Sequence, residues 1–113
     1  NNIFNFGDLT VDGITHSVSV NGSFVHTTPT EFKLLSVLCA HPGTVFTREE
    51  LVDLLTKVES HDQHNDLLSH SNLRTVDSHV RSLRKKIDPQ FIRTIHAVGY
   101  AFEPDFSKTQ ASA

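Results

Sequence analysis

One stretch limits what this chain can become more than any other: Arg74-Thr-Val-Asp-Ser-His-Val-Arg-Ser-Leu-Arg-Lys-Lys-Ile87. Val76, Val80, Leu83 and Ile87 recur at the spacing of a 3.6-residue helix and make one apolar stripe. The pattern predicts an amphipathic helix over 75–87, with Thr75 placed to cap its start. Ser78, Arg81, Ser82 and Lys85 take the opposite face, and His79, Arg84 and Lys86 the flanks. Arg84, Lys85 and Lys86 fall in the last turns, where cations suit the negative end of the helix dipole. Such a face holds donors for phosphates and base edges, and an α-helix fits the major groove of DNA. A solvated basic surface is the plainer alternative.

Charge decides how seriously to take that face. The formal net charge is −3, unusual for a nucleic-acid binder. The distribution is uneven. Residues 1–73 hold three basic and nine acidic side chains, whereas Arg74–Lys86 alone holds five basic and one acidic. A patch this focused can steer DNA on an acidic protein, with strong sensitivity to salt. The length of 113 residues suits one domain, and no apolar run approaches a membrane helix. No basic-then-apolar leader opens the sequence, so no signal peptide and no membrane association is expected. The single cysteine, Cys39, sits in an apolar helical pattern and reads as core.

Taken in order, residues 1–27 predict an antiparallel sheet of three or four strands. Asp12-Gly13 and Asn21-Gly22 supply turns, and Asn-Gly between alternating strands is a strong hairpin signal. Val18 and Val20 share a face, with Phe24 beyond the turn. Residues 28–88 predict helices. Thr28-Pro-Thr-Glu31 and Thr47-Arg-Glu-Glu50 are capping boxes. Phe32, Leu35, Leu38 and Cys39 supply the buried side of the first helix, and Leu51, Leu54, Leu55 and Val58 that of the second. Residues 59–73 read as a long polar loop. His61, His64 and His70 with Asp62 and Asp66 lack metal-site spacing there, and no metal or other cofactor is expected. Residues 91–103 predict a β-hairpin turning at Ala97-Val98-Gly99, and 105–113 a flexible tail. No nucleophile–base pair, carboxylate pair or phosphate loop stands out, so no catalytic residues and no enzyme activity are expected.

The order is sheet, two helices, basic helix, hairpin: an α+β winged helix-turn-helix with an N-terminal antiparallel sheet, three helices and a C-terminal wing. Four motifs then carry a resemblance: Pro29-Thr-Glu-Phe-Lys-Leu-Leu35, Phe46-Thr-Arg-Glu-Glu-Leu51, Arg74 to Lys86, and Arg93-Thr-Ile with Val98-Gly-Tyr-Ala-Phe102. In this order and spacing the chain resembles the OmpR/PhoB-type winged-helix effector domain of bacterial two-component response regulators, over residues 1–104. The resemblance implies sequence-specific double-stranded DNA binding, with the recognition helix in the major groove and the wing near the minor groove. It implies phosphate contacts at Arg74, His79, Arg81 and Arg84, and base edges facing Ser78 and Ser82. Thr75 and Lys85 complete the helix surface. Thr94, His96 and Tyr100 would contact DNA from the hairpin. It further implies an N-terminal receiver domain in a longer cytoplasmic protein, a dimer on direct-repeat sites, and contact with RNA polymerase through 59–73.

Several positions depart from the family pattern. Ser82 is short where a longer side chain is common, His96 replaces a basic wing residue, and Ala97 replaces a common wing glycine. Thr56 stands where an aromatic is common. These departures, with the net charge, sustain an alternative: a winged-helix protein-interaction module with weak or no DNA binding.

Overall fold

The computed structural model describes residues 3–57 and 65–104. Its first layer is a four-stranded antiparallel meander: β1 (Ile3–Phe6), β2 (Leu9–Asp12), β3 (Ser17–Val20) and β4 (Ser23–Val25), paired in that order. The register aligns Phe4, Val11, Val18 and Val25 across the sheet, and Phe6, Leu9 and Val20 one step along. These rows form the inner face, because successive side chains of a strand alternate sides. Asn21 and Gly22 both have positive φ, 54° and 82°, which gives the tight β3–β4 turn its backbone. Phe24 pairs with Ser19 on the outer face and is 83% exposed; Val25 is the β4 residue that packs inward.

Helix α1 (Pro29–Ala40) begins as its sequence dictates. The Glu31 amide donates to the Thr28 hydroxyl (3.1 Å), and the Thr28 amide donates to the Glu31 carboxylate (3.0 Å). Phe32, Leu34, Leu35, Leu38 and Cys39 are buried, and burial pushes the Cys39 thiol far above its ordinary pKa. A two-residue strand β5 (Phe46–Thr47) leads into α2 (Arg48–Lys57), capped by the reciprocal Thr47–Glu50 pair at 2.8 and 3.0 Å. Leu51, Val52 and Leu55 are its buried residues; Val58 lies outside the described residues.

Helix α3 runs from Asn65 to Lys86, 22 residues and about 33 Å. This corrects two expectations. Residues 65–73 are helical rather than part of a loop, and Thr75 lies well inside the helix instead of capping it. The polar run lacks apolar periodicity, so it does not announce a helix. Nothing in it stops one either: no glycine or proline occurs from Val58 to Asp88. Adding a residue to an existing helix is far easier than nucleating a new one. The stripe Val76, Val80, Leu83 and Ile87 anchors the C-terminal half in the core as expected. Residues 58–64, with His61, Asp62 and His64, lie outside the described residues, as does the segment 105–113.

A turn at Pro89–Phe91 leads to the closing hairpin, β6 (Ile92–Ile95) and β7 (Gly99–Phe102). Strand β7 is central, between β6 and β5, with Phe46 opposite Tyr100 and Thr47 opposite Gly99. Only glycine fits at 99, since a Cβ there would lie 1.8 Å from the Phe46 carbonyl oxygen. Phe102, fully buried, joins the layers: its ring lies 4.7 Å from that of Phe6 and 5.5 Å from that of Phe91. The architecture is the expected winged helix with three helices.

Candidate nucleic-acid interface

Burial divides α3 into sides. The apolar stripe faces the core, and Arg74, Ser78, Arg81 and Lys85 form an exposed line on the opposite side. Their spacing of four, three and four residues places them on one ridge about 16 Å long. Thr75 is exposed beside the ridge, and His79 is half-buried.

One flank is fastened to α2 and the wing. The Tyr100 hydroxyl donates to Asp77 Oδ1 at 2.6 Å, and Arg48 Nη2 donates to Asp77 Oδ2 at 2.8 Å. Asp77 thus joins α2, α3 and β7. Tyr100 is only 8% exposed, and burial together with the bond to Asp77 pushes its phenol pKa up to about 12. It is a neutral donor at physiological pH. Arg84 continues the flank. Its guanidinium donates to the Ile92 carbonyl (2.6 and 3.2 Å) and the Thr94 hydroxyl (2.6 Å), and lies 5.7 Å from the centre of the Tyr100 ring.

The other flank is fastened to α1. Glu31 is 3% exposed, and Lys86 Nζ donates to its Oε1 at 2.7 Å. Burial alone would raise the Glu31 pKa. Hydrogen bonds from Lys86, Ser82 and the Thr28 amide overcome it and hold the carboxylate at about 2. Ser82, one of the two expected base-facing residues, is half-buried on the side of α3 that carries Lys86.

The hairpin tip, His96 to Val98, is exposed, with Ala97 at a φ of 65°. The residues predicted from sequence thus separate. Arg74, Thr75, Ser78, Arg81, Lys85, Thr94 and His96 are exposed, Ser82 is half-buried, and Arg84 and Tyr100 are held by other parts of the chain. Sequence reasoning missed Asp77, Arg48 and Glu31. The signal for Asp77 was present: it is the one acidic side chain in the basic run.

The family profile described as "Transcriptional regulatory protein, C terminal" matches residues 22–102. The chain belongs to this family. It is an OmpR/PhoB-type effector domain, of a family of transcriptional regulators rather than enzymes. It is 41% identical to the phosphate regulon transcriptional regulatory protein PhoB of Rhizobium meliloti, over 86% of this chain and 40% of that protein. It is 35% identical to the transcriptional regulatory protein BaeR of Escherichia coli, over 86% and 39%. The effector domain thus spans about two-fifths of the length of these relatives. Among solved structures it resembles the response regulator DrrB of Thermotoga maritima, an OmpR/PhoB homologue (TM-score 0.73, 30% identity, 91% of this chain and 45% of that one). It also resembles the DNA-binding domain of Klebsiella pneumoniae RstA in complex with the RstA box (TM-score 0.72, 27% identity, 92% and 99%). No described helix of the effector domain is long and apolar enough to cross a membrane.

Proposed function

We propose that this effector domain binds double-stranded DNA in a sequence-specific manner, as the output domain of a transcriptional regulator of the response-regulator type. The observation that carries the reading is the exposed ridge Arg74–Ser78–Arg81–Lys85 on a helix that is fastened to α1 through Lys86 and to α2 and the wing through Asp77 and Arg84. A helix about 10–12 Å across, with cations along its free side, matches the width and charge of the major groove. The wing, tied to the same helix through Asp77 and Arg84, reaches the neighbouring minor groove with His96 at its tip. The RstA domain, a structural neighbour, is bound to its DNA box, which supports the assignment.

For the rest of the regulator we propose what the family resemblance implies. An N-terminal receiver domain controls the domain, two copies occupy a direct repeat, and the protein works in the cytoplasm. Contact with RNA polymerase falls to residues 59–73, of which 65–73 are the first turns of α3. Arg74, Lys85 and the side chains around them neutralise phosphates.

The test is selection from a random duplex library by the purified domain, beside an Arg74→Ala/Lys85→Ala variant. Enrichment of a defined half-site, weakened in the variant, is the expected result. No enrichment at low salt by folded protein overturns the reading. The net charge of −3 would then favour the protein-interaction module.

A further inference from the structure

We infer that Arg84 is a positioning residue for DNA binding: it orients the Thr94 hydroxyl to donate to the backbone phosphate that lies between the two grooves. The inference rests on the DNA-binding reading and deepens it. The resemblance to the family places Arg84 and Thr94 on DNA as separate contacts; the bonds between them make the second depend on the first.

Three observations carry it. First, Arg84 is committed to the wing. Its Nε and Nη2 both donate to the Ile92 carbonyl, at 3.2 and 2.6 Å, and Nη2 also donates to Thr94 Oγ1 at 2.6 Å. The guanidinium lies 5.7 Å from the centre of the Tyr100 ring, and Tyr100 stands opposite Thr94 in the hairpin. The planar fork fixes two acceptors of β6 at once, which an ammonium on a flexible stem does not reproduce. Second, the Thr94 hydroxyl has a proton to give. Its oxygen accepts from Arg84, and no described residue accepts its hydrogen. A hydroxyl that accepts from a cation turns its hydrogen away from it, and the cation strengthens it as a donor. Thr94 is exposed, so that hydrogen is open to an incoming acceptor. Third, this bond lies in the crease between α3 and the wing. With α3 in the major groove and the wing at the neighbouring minor groove, the phosphodiester strand dividing the grooves crosses that crease. Arg84 has no acidic partner among the described residues, so its charge is not cancelled there. A positive potential and an oriented donor thus meet one phosphate.

The probe is the half-site duplex that the wild type enriches from a random library. Its affinity is measured for wild type, Arg84→Lys, Thr94→Val, Thr94→Ser and the Arg84→Lys/Thr94→Val double variant, each shown by circular dichroism to be folded. Thr94→Val weakens binding by about three- to ten-fold, and Thr94→Ser, which returns the hydroxyl, recovers most of that loss. Arg84→Lys weakens binding to a similar degree although its charge is kept, and the salt slope stays that of the wild type. In the Thr94→Val background, Arg84→Lys adds less than about two-fold, because the hydroxyl it would misplace is already gone. A merely structural loss would carry through to the double variant in full. Should Arg84→Lys not fold, Arg84→Gln takes its place in the same cycle, with the same non-additivity expected.

Arg84→Lys with wild-type affinity makes Arg84 a simple phosphate cation and overturns the inference. A double variant whose loss is the product of the two single losses overturns it too, as does Thr94→Val with wild-type affinity. A wild type that enriches no duplex fails differently, removing the DNA-binding reading itself and this inference with it.

Discussion

Ala97 holds a left-handed backbone, φ 65°, at the tip of the wing, where a Cβ is disfavoured. Replacing it with glycine removes that strain but adds freedom to the unfolded chain. The balance favours Ala97→Gly by up to about 1 kcal/mol, read as a higher urea midpoint with an unchanged slope. Gly99 is the opposite case. Gly99→Ala would drive a methyl group into the Phe46 carbonyl and part β5 from β7, costing roughly 3 kcal/mol or more in the same measurement. Glu31 makes stability depend on pH. Its folded pKa, about 2, lies below the ordinary value of 4.5, so the charged form is favoured by folding. That contribution is complete above the unfolded pKa and is lost as pH falls from about 4.5 towards 2. It is worth roughly 2–3 kcal/mol. Glu31→Gln should flatten the stability curve across this window, leaving the slope from other carboxylates such as Asp12, whose pKa is also lowered by backbone hydrogen bonds from Thr15 and Ile14.

At the scale of elements, the sequence announced what local chemistry decides. Both capping boxes, the Asn21-Gly22 turn and the stripe from Val76 to Ile87 depend on residues close in the chain, and all stand where their spacing placed them. The length of α3 was illegible because a polar helix leaves no periodic mark. The tertiary bonds of the site were illegible for a different reason. Arg48 and Asp77 are 29 residues apart and Glu31 and Lys86 are 55 apart, and no pattern in a single sequence pairs them. The resulting network predicts coupling. Tyr100→Phe and Asp77→Ala should each destabilise the domain by about 1–2 kcal/mol. The double variant should cost less than their sum, because either change already breaks the shared bond. Additivity in a urea-unfolding cycle would show that the two residues do not act together.

For the whole molecule, the charge distribution matters more than its total. Asp8, Asp12, Glu31, Glu49, Glu50 and Asp53 lie in the sheet layer, α1 and α2, and five cations cluster between Arg74 and Lys86 on α3. Few phosphates can be neutralised at once, so the logarithm of DNA affinity should fall with the logarithm of salt with a slope of roughly −3 to −5. A flat response would be incompatible with the proposed interface.

The fastening of α3 on both flanks also bears on how such a domain could change its target. Positions 77, 84 and 86 are committed to other parts of the chain, so altering them disturbs the scaffold as well as the surface. Positions 78, 81 and 85 are exposed and carry no such obligation to another described residue. A combinatorial library confined to these three codons would explore new operators on an unchanged framework.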